Sequence, residues 1–314
     1  MKVQSLFELP HNQASRLVRT GAPVYVCVNP VEYHGPHLSL HNDHLVSYGL
    51  MQDLHRRLLD HKPDWPLLYG GELEMGVDAV SGPGSRPVAF TEVRRALLAA
   101  CHRLVELGAQ RLVIMTFHGS PHHNSAIHDC ATAMVARGIP VFAPAALLLR
   151  YFVFPDKEHF APAFAPISDP EVRESMMNNF CQDLHAGFLE TSLSLHYVPD
   201  TVGDYESVPP CPHFEPRTRM LKLARVARLT GNKELVAELE FSAKMMGWLR
   251  LENFPGYSGR PHLANLQTGA FLADVLSEEA CHIGLEVLHG DRPQPAPVLD
   301  WLRRLTLNGR IQHR

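Results

Sequence analysis

Closely paired cysteines are absent from this chain of 314 residues. No two of its six cysteines have CxxC spacing; they are Cys27, Cys101, Cys130, Cys181, Cys211 and Cys281. Several lie in apolar segments, where a thiol behaves as a small hydrophobic group. The pattern argues against a disulfide framework and favours buried free thiols in a reducing compartment.

Long apolar runs are absent as well. No stretch of roughly 18 apolar residues occurs, so the sequence predicts no membrane-spanning helix. The first residues, MKVQSLFELPHNQASRL, contain no apolar segment of signal-peptide length. Since 45% of the residues are apolar, the chain can still bury a sizeable core. We therefore expect a soluble, cytoplasmic protein without a membrane partner.

The sequence carries little excess charge of either sign. Its formal net charge is −4 with neutral histidines, which gives no reason to expect nucleic acid as a partner. We expect a small-molecule substrate instead. Histidine, in contrast, is abundant, with 20 residues.

A cluster of acids and histidines follows the first apolar run, Val24–Val28. The sequence VEYHGPHLSLHND occupies residues 31–43, and its potential ligands are Glu32, His34, His37, His41 and Asp43. Because side chains alternate along a strand, Glu32 and His34 can point the same way. Two carboxylates and an imidazole form a donor set for a divalent metal such as zinc, manganese or iron.

Apolar runs and helical patterns alternate from residue 24 to residue 144. The predicted strands are Val24–Val28, Leu67–Tyr69, Arg111–Phe117 and Val141–Pro144. This alternation predicts an α/β fold with a mostly parallel central sheet. Ligand sites in such sheets lie beyond the carboxyl ends of the strands, where Glu32, His34 and His118 would all lie.

The second half of the chain is less regular. Tyr151–Pro170 is rich in Phe and Pro and predicts a long loop that could form a lid. Without an internal repeat or a clear linker, we expect one domain over residues 1–314, with an insertion at about 201–249.

In Asp183–Leu195, two interpretations stay open. Glu190 faces solvent at a helix start, or His185 is a proton donor beside Glu190 as a metal ligand or base.

Five short motifs follow one another along the chain, at Glu32–Asp43, Pro83-Gly84-Ser85, His118-Gly119, His185–Ser192 and Gly256–Gly269. In this order they resemble the motifs of the creatininase (creatinine amidohydrolase) family. In the family signature G-S-x-E-x-H-G-P-H-L-P-L-x-x-D, the part from the glutamate to the aspartate is in register with Glu32–Asp43, whereas the first Gly-Ser is replaced by Asn29-Pro30. Further along are the family's P-G-T loop, a strand ending in His-Gly, an H-A-G-x-x-E-T-S block and a G-x-x-G-x-P-x-x-A-x-x-x-x-G block. They correspond to Pro83-Gly84-Ser85, His118-Gly119, His185–Ser192 and Gly256–Gly269.

The resemblance implies a three-layer α/β/α hydrolase with a two-metal centre, in which Asp43 would bridge the two ions. The implied metal ligands are Glu32, His34, Asp43, His118 and Glu190. His185 and Glu190 are the implied catalytic residues, and the cofactors would be two divalent ions of zinc, manganese or iron. The family cleaves C–N bonds of cyclic amides, other than peptide bonds, and its members are usually homo-oligomers, often hexamers.

The chain also departs from the family pattern. An acidic ligand is absent from the loop His118–Asn124, where His122 or His123 could replace it or could be solvated. An imidazole at that place would favour zinc or iron over manganese. The tryptophans that creatininase places over its substrate are absent from the expected region, which argues against creatinine as substrate. Other chemistry in the same family, such as C–C hydrolysis of a cyclic ketone or peptide trimming, and a non-catalytic metal-binding role are the alternatives.

Overall fold

The computed structural model describes residues 2–311, without the side chain of Cys181. Its strands are β1 (Val3–Ser5), β2 (Val24–Asn29), β3 (Leu67–Glu74), β4 (Leu112–Met115) and β5 (Val141–Phe142). Its α-helices are α1 (His11–Val18), α2 (Asn42–Leu59), α3 (Phe90–Leu107), α4 (Pro121–Val135), α5 (Ala145–Val153), α6 (Lys157–Phe164), α7 (Pro170–Asn178), α8 (Phe188–Tyr197), α9 (Thr218–Leu229), α10 (Lys233–Trp248), α11 (Leu266–His289) and α12 (Trp301–Leu305).

The chain divides into two compact units. The first comprises the residues up to Glu32, Leu40–Leu148 and the residues from Ala273 onwards. The second comprises Tyr33–Ser39 and Leu149–Leu272. The expected insertion at about 201–249 lies within the second unit and forms α9 and α10. That the whole chain is a single domain stays a prediction.

The first unit is built on a parallel five-stranded sheet with strand order β1-β3-β2-β4-β5. Every residue of β2 and of β4 is buried, as expected of strands covered by helices on both faces. Successive residues of β2 enter different cores. Val24, Val26 and Val28 pack with α1, α3 and α4, whereas Tyr25 and Cys27 pack with α2 and α11. The predicted three-layer α/β/α fold is thus confirmed.

The predicted long loop at Tyr151–Pro170 is wrong, because α6 and the start of α7 lie within it. Aspartates cap both helices. Asp156 accepts hydrogen bonds from two backbone N–H groups of the first turn of α6, and Asp169 does the same for α7. Pro170 occupies the first turn of α7, where its missing N–H costs nothing. In the described residues, no helix is both long and apolar enough to cross a membrane.

Candidate metal centre

Three predicted metal ligands of the first unit meet beyond the ends of β2 and β4. Glu32 follows β2, His118 follows β4, and Asp43 lies in the first turn of α2. Glu32, His118 and Asp43 are 0%, 5% and 2% exposed, respectively. His118 Nδ1 lies 3.0 Å from Glu32 Oε2 and 3.6 Å from Asp43 Oδ2. One ligand atom from each of the three lies within 4.8 Å of the others, so together they could hold a metal ion.

The segment Val77–Val80 orients two of these ligands through its backbone. His118 Nε2 lies 2.8 Å from the Val77 carbonyl oxygen, so Nε2 donates a proton and Nδ1 is turned towards the carboxylates. The Val80 N–H donates to Glu32 Oε1. The Ser85 hydroxyl, from the Pro83-Gly84-Ser85 loop, donates to the Val80 carbonyl over 2.6 Å. Two ligands are therefore held by one short backbone segment.

The electrostatics of this cluster favour a cation. Burial alone would lower the pKa of His118, but the nearby carboxylates of Glu32 and Asp43 raise it to about 9. Two buried carboxylates thus attract positive charge, which a divalent ion could supply. The donor set of two carboxylates and one imidazole fits zinc, manganese or iron.

Asn29, the last residue of β2, ties together the elements that carry these ligands. Its Nδ2 donates to Ser47 Oγ on α2 over 3.0 Å. Its Oδ1 accepts from Thr116 Oγ1 at 3.1 Å and from the Phe117 backbone N–H at 3.0 Å, both just after β4. Asn29 stands where the family signature has its first glycine. This departure from the family pattern therefore supports the cluster.

A second cluster of acids and histidines lies in the second unit. His34 Nε2 is 3.1 Å from Glu190 Oε1, and the His34 and His185 rings lie 4.3 Å apart. His185 Nε2 lies 2.9 Å from the Tyr33 carbonyl oxygen. The Glu190 side chain is only 13% exposed, so the interpretation that it faces solvent is wrong. Burial would raise the pKa of Glu190, but the two histidines lower it to about 2.

A tight turn before α8 shapes the second cluster. Ala186 adopts a left-handed conformation with φ +46°, and its N–H donates to Glu190 Oε2 over 2.6 Å. Asp183 accepts from the first backbone N–H groups of α8, those of Phe188 and Leu189, at 2.9 and 2.7 Å. At Gly187 an added Cβ would lie 1.7 Å from Asp183 Oδ1. The role of Asp183 could not be predicted from its own position in the sequence; the glycine of the H-A-G motif marks its close approach.

The remaining histidine candidates have other partners. His122 Nδ1 lies 2.5 Å from Asp78 Oδ2. His123 is buried, with Nδ1 3.4 Å from the Val77 nitrogen and Nε2 3.1 Å from the Val28 carbonyl oxygen. Within the described part of the chain, neither histidine belongs to a grouping of potential ligand atoms close enough for a metal. That either one binds metal stays a prediction.

Comparison with known proteins agrees with these observations. The family model "Creatininase: Creatinine amidohydrolase" matches residues 8–283. A crystal structure of creatinine amidohydrolase is similar at 19% identity and TM-score 0.57, covering 91% of this chain and 99% of that chain.

Two metal-containing relatives are similar to the same extent. A manganese form of creatininase has 18% identity and TM-score 0.55, with 91% of this chain and 99% of that chain covered. A Zn–Zn form of a creatininase mutant has 17% identity and TM-score 0.57, with the same coverage. Comparison with curated protein sequences gives no match. The family match spans most of the chain, and the chain therefore belongs to the creatininase (creatinine amidohydrolase) family.

Proposed function

We propose that the protein is a metal-dependent amidohydrolase that cleaves a C–N bond, other than a peptide bond, of a small amide, cyclic amides among the candidates. The observation that carries this proposal is the buried grouping of Glu32, Asp43 and His118, with ligand atoms within 4.8 Å of one another. Hydrogen bonds from the backbone hold two of the three side chains in place. Such preorganised donors are typical of a metal site rather than of an ordinary ion pair.

We assign His34 and Glu190 to the same centre as further ligands. Glu32 and His34 are separated by a single residue, so their Cα atoms are at most roughly 7 Å apart. Asp43 would bridge two divalent ions, because a carboxylate offers two oxygens. Zinc, manganese and iron are the candidate ions, and creatininases of similar structure include a manganese form and a Zn–Zn form.

The chain's own residues suggest how an amide would be cleaved. When bound, divalent ions lower the pKa of a coordinated water and polarise a substrate carbonyl oxygen. His185 would donate a proton to the departing nitrogen, because an amine anion is too poor a leaving group. The contact of the His185 ring with the His34 ring and the hydrogen bond to the Tyr33 carbonyl oxygen would orient this donor.

We also propose that the protein is cytoplasmic and forms a homo-oligomer, such as a hexamer. Three apolar side chains along α9, Leu223, Val226 and Leu229, are 51%, 62% and 87% exposed, which a contact between copies would reduce. Light scattering should give a multiple of the chain mass of 35.1 kDa. A mass equal to one chain would contradict this part of the proposal.

Removal and restoration of metal test the proposed activity. Purified protein is stripped with a chelator, reloaded separately with zinc, manganese or iron, and assayed against lactams, cyclic imides and cyclic ureas, creatinine included. We expect ring opening to return with metal and two ions to bind per chain. If none of these ions binds, the metal-dependent function is wrong. If metal binds but no amide is opened, the substrate class is wrong.

A substitution of Asp43 tests the bridging role. Asp43→Asn keeps the shape of the side chain but removes its charge, so metal content and activity should fall together. Asp53→Asn is the matched control, because Asp53 lies on the same helix and pairs with Arg56 instead. Full metal occupancy in the Asp43→Asn protein would count against a bridging carboxylate.

A further inference from the structure

The segment Val77–Val80 contains a residue in a strained conformation. Asp78 has φ +57°, in the left-handed region that residues other than glycine seldom adopt. Such a conformation is unfavourable and persists only where the surroundings hold it. Asp78 directly follows Val77, whose carbonyl oxygen accepts the hydrogen bond from His118. What holds Asp78 therefore also holds a candidate metal ligand.

His122 supplies the main hold on Asp78. His122 Nδ1 lies 2.5 Å from Asp78 Oδ2, and the Ser120 hydroxyl donates to the same oxygen over 3.3 Å. On the other side of its ring, His122 Nε2 lies 2.7 Å from Thr306 Oγ1. His122 and Thr306 are both buried. The imidazole thus joins Asp78 to a residue close to the end of the described chain.

Thr306 belongs to a segment that is firmly fixed to α4. We call residues Leu299–Ile311 the terminal segment. Arg303 makes two hydrogen bonds to Asp129 of α4, at 2.8 and 3.0 Å. The Ser125 hydroxyl, also on α4, donates to Asp300 over 2.8 Å. The family match ends at residue 283, so the terminal segment lies beyond the part of the chain that shows the family.

We infer that His122 is a positioning residue through which the terminal segment fixes the metal ligands. The line of contacts runs from Thr306 through His122 to Asp78, and then along the backbone to the Val77 carbonyl oxygen, which bonds His118. The same short segment donates to Glu32 from Val80. Docking of the terminal segment and metal binding therefore stabilise each other. This inference rests on the proposed metal-dependent function and says how the ligands of that site are positioned.

Cobalt titration of substituted proteins tests the inference, because Co²⁺ replaces zinc in such sites and its visible absorption reports ligand geometry. Thr306→Val removes the hydroxyl at nearly constant volume, and His122→Phe keeps a ring but removes both hydrogen bonds. We expect cobalt affinity to fall by about 10-fold or more for His122→Phe. For Thr306→Val the fall should be smaller, and both proteins should show a shifted absorption band. Thr306→Ser keeps the hydroxyl and should restore the unaltered spectrum and affinity.

Ser125→Ala is the matched control. It also removes one hydrogen bond between α4 and the terminal segment, but not one that leads to Asp78. It should lower the melting temperature of the metal-free protein as Thr306→Val does, while affinity and spectrum stay unchanged. If His122→Phe and Thr306→Val bind cobalt as the unaltered protein does, the positioning role is wrong while the metal site stands. If the unaltered protein binds no cobalt, zinc, manganese or iron, both proposals fail.

Discussion

The two clusters of acids and histidines are held in place by different means. In the first, backbone groups of Val77 and Val80 fix His118 and Glu32 beyond the ends of buried strands. In the second, His185 and Glu190 flank a turn in which Ala186 is held left-handed. A left-handed residue lies beside the supporting groups in both clusters, Asp78 in the first and Ala186 in the second. In the first, the supporting backbone groups come from a separate segment, whereas in the second the turn joins His185 and Glu190 themselves. We expect loss of a side chain from the first cluster to lower metal binding most, and loss of His185 from the second to lower turnover most.

Removal of His118 should have the largest effect. His118→Ala deletes a proposed ligand that contacts both Glu32 and Asp43. We expect metal content and activity to fall together, each by more than about 100-fold, because even residues that only support ligands cost 10–100-fold. Elemental analysis and turnover on the same sample measure both, with circular dichroism as the check on folding. Retained metal would place His118 outside the centre.

Removal of His185 should separate binding from chemistry. His185→Ala leaves the first cluster intact but takes away the proposed proton donor. Metal content should stay unchanged while kcat falls by roughly 10²–10⁴-fold, the usual contribution of a general acid. A leaving group that needs no proton should be cleaved at nearly the original rate. If metal and turnover both survive, His185 has only a structural role and the contrast between the clusters disappears.

Gly119 directly follows His118, and Gly187 lies two residues after His185. The two glycines should differ in how well they tolerate an added methyl group. At Gly187 an added Cβ would overlap Asp183 and also lie 2.8 Å from the Ser258 carbonyl oxygen, whereas at Gly119 it meets nothing within 4 Å. Gly187→Ala should therefore cost roughly 1–3 kcal/mol of unfolding free energy. Gly119→Ala should change it by less than about 0.5 kcal/mol. Urea unfolding of the metal-free proteins compares the two, and equal losses would mean that the turn adapts.

The central strands could be predicted because short, continuous apolar runs are typical of strands that are buried on both faces of a parallel sheet. The run Arg111–Phe117 contains β4, and Val24–Val28 contains all but the last residue of β2. Strand β1 was not predicted, because its three residues are only half-buried and show no clear alternation of apolar and polar side chains. The helix within Tyr151–Pro170 was missed because Pro162 indicates a break, while the cap by Asp156 is a local contact that composition does not reveal.

The parts of the candidate site that side chains form could be predicted from the sequence. The parts that backbone groups form could not. The side-chain spacing picked out Glu32, Asp43 and His118, and these three lie together. The supporting carbonyl of Val77 and N–H of Val80 belong to apolar residues whose identity carries no chemical signal. Asp183 also remained unnoticed, since an acidic residue near a helix start is usual at the surface.

Support by the backbone has a consequence for how this protein tolerates mutation. Every amino acid at positions 77 and 80 except proline at position 80 presents the same carbonyl and N–H groups to His118 and Glu32. Side chains there can drift, within the limits of packing, while the ligands keep their orientation. Protein engineers could therefore vary these two positions to reshape the surroundings of the centre and leave its donor atoms in place.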